Sequence, residues 1–311
     1  MDVNSLVGLF DATYHADVNV RNNAEAQLKQ FEANDGFLST LLQIISADEL
    51  QTGTKQAAAI YFKNRVSRAW SGSQHALENY APISESDRAA AKENILKFIY
   101  ATPHTIKVQL TSCLGVILNF DYPDKWTQFD DQLKELLNAQ DPQMVYTGLL
   151  ALRELVRLYR YSQTKRTVID AVARNLFPRV QAVVDEAIGS DDELAMRMVW
   201  AAFKTYYAAI QVALPVALQE PSSLVAWGTS FIKMMEKPVA FDRSLVDEDT
   251  AKEPVWKAKK WAFRSVNRLY SRFGNPATLS PSQKHLKLFA KVFTADFLPQ
   301  IMQAYLKQID G

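Results

Sequence analysis

The sequence contains a single cysteine, Cys113, in 311 residues. One thiol excludes an internal disulfide framework and a cysteine zinc site, and it is typical of a reducing compartment such as the cytosol or nucleus. Cys113 lies in an apolar helical stripe, so we expect an inert core thiol. The four histidines lie far apart and lack metal-ligand spacing. Because no nucleophile, base or metal constellation is present, we expect a protein that is not an enzyme and uses no cofactor or metal.

Long apolar runs and a charge excess of either sign are also missing. No segment reaches the roughly 18 uninterrupted apolar residues that a membrane-spanning helix needs, and the first residues lack the pattern of a secretory signal. Lysine and arginine number 35 against 34 aspartates and glutamates. So balanced a charge gives no global field to attract nucleic acid or an anionic membrane. We therefore expect no direct contact with either, and any charge-based recognition must be local.

Glycine and proline are scarce, at 10 and 12 residues, and most lie between periodic segments. Apolar residues recur every three or four positions, and alternating strand patterns are absent, which predicts an all-α protein. Thr102, Asp141 and Ser280 each precede a proline, a pattern that predicts helix N-caps. Gln283 stands three residues after Ser280, the spacing of a capping box.

The predicted helices form consecutive antiparallel pairs. We predict pairs at 3–33, 37–70, 85–120, 124–161, 166–213 and 216–274, and one further helix at 281–309. The period of about 40 residues is typical of HEAT repeats, which stack so that neighbours bury each other's apolar stripes. This predicts a right-handed superhelical solenoid. The last helix stays apolar at Phe289, Phe293 and Phe297, so we expect the natural protein to continue into further repeats.

The segment 24–70 carries the most specific signal. Its distinctive residues are Ala24, Glu25, Leu28, 37–42, 56–58, 60–64 and Trp70. In these residues the chain resembles the amino-terminal domain of importin-β family nuclear transport receptors. The resemblance implies a receptor that binds Ran-GTP, carries basic protein cargo past the Phe-Gly repeats of nucleoporins, and releases the cargo when Ran-GTP binds. Such a protein shuttles between cytoplasm and nucleus.

Two further segments narrow the resemblance to the importin-seven and importin-eight branch. They are 108–111 with Asp121, Tyr122, Pro123 and Trp126, and, downstream, 246–249 with 256–262 and 272–274. The resemblance implies Ran-binding HEAT repeats in 1–120 and further HEAT repeats in 121–311.

The second helix of each HEAT pair lines the concave surface, so we look there for the Ran contacts that the resemblance implies. Lys55, Ala59 and Lys63 are spaced by four and should form one ridge, with Tyr61 and Trp70 facing the core. The candidate contacts are Arg21, Asn22, Glu25, Lys29, Lys55, Lys63, Asn64, Lys107, Thr111 and Asn119. The alternative is that these polar residues form an ordinary solvated face.

A second candidate region is an acidic loop at about 238–254, where the helical period lapses. Its acidic residues include Asp247, Glu248, Asp249 and Glu253, and the basic residues Lys257, Lys259 and Lys260 follow on a helix. Two interpretations stay open. The loop neutralises its own basic helix, in pairs worth only about 0–1 kcal/mol, or, as the family resemblance implies, it contacts Ran or basic cargo.

The sequence alone leaves two other functions open. An exportin-type receptor differs in that Ran-GTP and cargo bind together. A non-transport HEAT-repeat scaffold or regulatory subunit would have a partner that ignores the nucleotide state of Ran.

Overall fold

The computed structural model describes residues 2–71, 80–239 and 252–310. The α-helices in this part of the chain are α1 (Val3–Ala12), α2 (Val18–Phe31), α3 (Phe37–Ser46), α4 (Thr52–Ala69), α5 (Glu85–Ala101), α6 (His104–Asp121), α7 (Phe129–Leu137), α8 (Pro142–Tyr159), α9 (Arg166–Asn175), α10 (Phe177–Ala187), α11 (Glu193–Ala209), α12 (Pro221–Glu236), α13 (Pro254–Leu269), α14 (Lys287–Val292) and α15 (Leu298–Asp310). Strands are absent from the described residues, so the predicted all-α fold of helix pairs is confirmed there. Among the same residues, no helix has the length and apolar character needed to cross a membrane.

The first four predicted pairs correspond to α1 with α2, α3 with α4, α5 with α6, and α7 with α8. The fifth pair differs, because its first helix is divided into α9 and α10 at Leu176. Pro178 lies in the first turn of α10, where its missing N–H ends the hydrogen-bond ladder of α9. The predicted helix at 281–309 is also divided, into a 3₁₀ segment (Pro281–Leu286), α14, a π-helical turn (Phe293–Phe297) and α15.

The predicted N-caps have mixed outcomes. The Asp141 carboxylate accepts the Gln143 N–H at 2.8 Å and caps α8, as predicted. The capping box of Ser280 and Gln283 is also confirmed, since the Ser280 N–H donates to Gln283 Oε1 at 3.1 Å. The prediction for Thr102 is wrong. Its hydroxyl donates to the Phe98 carbonyl at 2.7 Å and so closes the end of α5.

Contacts between helices divide the chain into two compact units, Met1–Asp130 and Asp131–Gly311. In the first unit, α4 packs against α3 and α6. Phe10, Leu41, Phe62 and Leu114 are fully buried in the core of this unit. Gly36 precedes α3 with a φ of 81°, a left-handed conformation that glycine adopts without steric cost.

In the second unit, α11 packs between α8 and α13. An aromatic cluster from α11 and α12 fills the core of this unit. The Tyr206 ring lies 4.6 Å from the Trp227 ring and 5.1 Å from the Phe231 ring. A Cβ atom at Gly228 would lie 2.6 Å from the ring of Phe297. Glycine at this position therefore allows Phe297 to pack closely against α12.

Candidate functional site

A groove of about 760 Å³ lies between α2 and α4, the second helices of the first two pairs. The residues that give its walls their chemistry are Asn22, Glu25 and Lys29 on α2 and Ile60, Asn64 and Arg68 on α4. Amide groups, charges of both signs and apolar side chains thus face a common space. This mixture suits the surface of a folded protein, whose polar and apolar groups alternate.

A buried ion pair forms the floor of the groove. The Glu32 carboxylate accepts the Tyr61 hydroxyl at 2.8 Å and lies 3.8 Å from Arg65 Nε. Arg65 is 2% exposed, and its Nη2 donates to the carbonyls of Glu32 and Pro82 at 3.1 and 3.2 Å. Burial lowers the pKa of Arg65, and burial together with the Glu32 hydrogen bond raises the pKa of Tyr61. These interactions fix Tyr61 and the chain after α2, so the groove has a rigid base.

Tyr80 lies at the rim of the groove. The Arg68 guanidinium lies 5.1 Å from the centre of the Tyr80 ring, and the Lys29 ammonium lies 5.8 Å from it. Both are cation–π distances. The ring therefore holds two cations from different helices at the opening, where a partner would meet them first.

The structure places only part of the predicted contact set in this groove. Asn22 and Asn64, with Glu25 and Lys29, line it together. Arg21 of α2 does not line the groove and instead binds the α1–α2 turn, where its Nη1 donates to the carbonyls of His15 and Ala16 at 2.7 and 2.8 Å.

The other predicted residues of α4 do not line the groove. Lys55 and Lys63 are half-buried, and Ala59 between them is fully buried, so the predicted exposed ridge is wrong at its centre. Lys63 lies close enough to Cys113 of α6 to oppose the rise in thiol pKa that burial causes. Trp70 is buried, as predicted, but Tyr61 is half-buried and lines the groove.

The prediction that Lys107 and Thr111 present exposed side chains on α6 is wrong. Both residues are 4% exposed. The Lys107 ammonium donates to the carbonyls of Ile99 and Tyr100 at the end of α5, and the Thr111 hydroxyl donates to the Lys107 carbonyl at 2.7 Å. Helix ends leave carbonyls without partners, and a cation satisfies them. On α6, only Asn119 of the three predicted residues is exposed.

On the basic helix of the second unit, α13, the predicted surface position of Lys259 is also wrong. Lys259 is 4% exposed and donates to the Met235 carbonyl at the end of α12 at 2.9 Å, so it is not a surface residue. Lys257 is half-buried and Lys260 is exposed on α13. Glu253 is exposed and precedes α13. The other predicted residues of the acidic loop, Asp247, Glu248 and Asp249, lie outside the described residues.

Glu32, Arg65, Arg68 and Tyr80 line the groove but are not among the residues predicted from the sequence. The spacing of Tyr61, Arg65 and Arg68 by four and three places them on one side of α4, a signal that was available in the sequence. Glu32 and Tyr80 gave no such signal, since each lies at a helix end or in a connection. No cluster of metal-binding side chains is present in the described ranges.

Comparison with known proteins agrees with this organisation. Residues 24–101, from α2 to the end of α5, match a family model described as "Importin-beta N-terminal domain". The chain is 31% identical to importin-8 of Homo sapiens, an alignment that covers 100% of this chain and 30% of that protein. It is 30% identical to the importin beta-like SAD2 homolog of Arabidopsis thaliana, again over 100% of this chain and 30% of the relative. The chain thus spans about 30% of the length of these curated relatives.

A solved structure supports the fold. The exportin Cse1 in its cargo-free, cytoplasmic state superposes with a TM-score of 0.76 at 19% identity, over 98% of this chain and 31% of that chain. At this identity the likeness shows the HEAT-repeat fold.

Proposed function

Since the chain belongs to the importin-β family, in the branch of importin-7 and importin-8, we propose that it is the Ran-GTP-binding part of a nuclear import receptor. One observation carries the proposal. The match to the importin-β amino-terminal domain spans 24–101 and so includes most of α2, all of α4 and most of the residues that line the groove between them, although Asn22 precedes it.

The chemistry of the groove supports a protein partner. A specific interface buries roughly 1,200–2,000 Å² in total, which is more than one groove can cover. The proposed contact surface therefore extends beyond the groove along α4 and α6, to the half-buried Lys63 and the exposed Asn119. Ran is distinguished by its nucleotide because the γ-phosphate orders its switch segments, so the receptor meets its epitope only in the GTP state.

The complete receptor would carry basic protein cargo, contact the Phe-Gly repeats of nucleoporins, and move between cytoplasm and nucleus. In an importin, Ran-GTP and cargo exclude each other, because each favours a different state of the repeats. In an exportin they bind together. A titration of cargo in the presence and absence of Ran-GTP separates the two directions, and we expect exclusion.

The charge reversal Lys55→Glu with Lys63→Glu tests the assignment of the Ran surface. We expect the affinity for Ran-GTP to fall about tenfold or more. The two lysines are proposed to face negative charge on Ran, and a glutamate placed opposite negative charge costs over about 1 kcal/mol of binding free energy. The matched control reverses Lys97 on α5 and Lys134 on α7, which are exposed first-helix residues. Titration by calorimetry measures both variants, with helical content by circular dichroism as the check on folding. Unchanged affinity in a folded Lys55 and Lys63 variant would refute the assignment of these two lysines.

A further inference from the structure

A second polar cleft, of about 200 Å³, lies in the second unit on the second helices of consecutive pairs. Arg153 and Arg157 of α8 and the C-cap residue of that helix, Arg160, line it at spacings of four and three residues, and Lys204 and Trp261 line it from α11 and α13. At 1.5 Å of rise per residue, the three arginines extend over about 10 Å of α8.

Cations and aromatic rings alternate across the three helices. Arg153 lies 5.2 Å from the centre of the Trp200 ring, and Lys204 lies 5.4 Å from Trp200 and also 5.4 Å from Trp261. Arg264 continues the series at 4.9 Å from Trp261. We call these five residues the cation–aromatic ladder. The rings hold the cations in fixed positions, so less side-chain entropy is lost when a partner binds them.

The charge of the cleft is strongly unbalanced. Glu154, with a side chain that is 3% exposed, is the one carboxylate among the described residues that line it. Its oxygens pair with Arg153 at 3.0 Å and Arg157 at 2.5 Å. Arg160, Lys204 and Arg264 have no described carboxylate within salt-bridge distance. Among the residues that the structure describes, the cleft and its rim thus contain five cations for one anion.

The crowding of these cations acts on Lys204. Burial, followed by the repulsion of Arg153, Arg157 and Arg160, lowers the pKa of Lys204 to about 8, and Glu154 opposes the shift. The groups that face it are these four side chains of α8 and its C-cap, with Tyr207 of α11 and Arg264 of α13 nearby. A second negative group in the cleft would relieve the repulsion and raise the pKa of Lys204 again.

We propose that the cation–aromatic ladder, with Arg157 and Arg160, binds an acidic, extended segment of a partner protein through its glutamate and aspartate carboxylates. Charge complementarity selects the occupant, because arginine pairs with carboxylates through two parallel hydrogen bonds and three arginines point into one cleft. The surface lies apart in sequence from the proposed Ran site and does not depend on it. Basic cargo does not suit this surface.

Nucleic acid is the less suitable polyanion. Single strands bind by stacking bases on exposed aromatic faces. Here the Trp200 ring is already in cation–π contact with Arg153 and Lys204, and the Trp261 ring with Lys204 and Arg264, so these faces are not free to stack a base. The net charge of the whole chain, +1, also gives no long-range attraction for a polynucleotide.

The test is a titration of the chain with a fluorescent peptide of alternating glutamate and aspartate at low and near-physiological salt. We expect saturable binding that weakens with salt, and a loss of about tenfold or more in affinity for Arg157→Glu with Arg264→Glu. Both side chains are exposed, so the variant should fold. The matched control reverses Arg174 on α9 and Lys233 on α12, exposed residues outside the cleft, and should change affinity less than about twofold.

A pH series adds a readout specific to Lys204. Below pH 8 the ammonium is already protonated and binding should be strongest. Above it, binding must take up a proton, so affinity should fall between pH 7 and 9, and the fall should disappear in Lys204→Arg. Equal binding of the glutamine and asparagine version of the peptide, wild-type affinity in the Arg157 and Arg264 variant, or preferred binding of a single-stranded oligonucleotide of equal charge would each overturn the proposal.

Discussion

Replacing Glu32 with alanine is expected to lower the free energy of unfolding by about 3–5 kcal/mol. The substitution removes the carboxylate that lies 3.8 Å from Arg65 Nε and accepts the Tyr61 hydroxyl. Arg65 is 2% exposed, so its charge then stays in the interior without this partner. Urea unfolding, followed by circular dichroism, measures the change.

Two variants separate the buried charge from simple loss of a carboxylate. Glu85→Ala removes the Glu85–Arg88 pair, in which the Glu85 side chain is 95% exposed, and should cost less than about 1 kcal/mol. Replacing the pair by Glu32→Leu with Arg65→Met should recover part of the loss, because no unpaired charge is left inside. A loss below about 1 kcal/mol for Glu32→Ala would mean that water or Asp87 already compensates Arg65.

Replacing Phe231 with alanine is expected to cost a similar 3–5 kcal/mol in the second unit. Phe231 is fully buried, with its ring 4.8 Å from Phe203 and 5.1 Å from Tyr206. Its removal leaves a cavity among rings that interior packing holds in place. Urea or thermal unfolding of the purified variant gives the change in stability.

A graded series tests whether packing is the cause. Phe231→Leu keeps most of the volume and should cost much less, within about 1.5 kcal/mol if the core repacks. Leu288→Ala, at a side chain that is 60% exposed, should stay within about 0.5 kcal/mol. Equal losses for the alanine and leucine variants would point instead to a specific aromatic contact.

Periodicity predicted the helices well because the apolar spacing that buries a helix is also the spacing visible in the sequence. Asp141 could be identified as a cap from its own residue type and the following proline. The same reasoning fails at Thr102, because its hydroxyl donates to the Phe98 carbonyl at the end of α5 and does not cap α6. The break at Leu176 was missed because the apolar period continues through it, although Pro178 marks it.

The site was harder to predict than the fold, since a lysine on an amphipathic helix can either face solvent or turn inward to bind buried carbonyls. Lys63 and Lys107 look alike in sequence, yet Lys107 turns inward to the last carbonyls of α5. Lys259 does the same at the end of α12. Whether a lysine faces solvent or binds carbonyls depends on how close the end of the neighbouring helix lies to its ammonium group. The helical period of the sequence holds no information about that distance. The division of the chain into 1–120 and 121–311 by function stays a prediction.

We propose that this chain contains the Ran site of a transport receptor. Calorimetric titration of the purified chain with Ran carrying either a non-hydrolysable GTP analogue or GDP, at near-physiological salt, tests it most directly. We expect tight binding of the GTP form and little or none of the GDP form, because only the γ-phosphate orders the recognised segments. Equal binding of both forms, or no binding by a demonstrably folded chain, would contradict it.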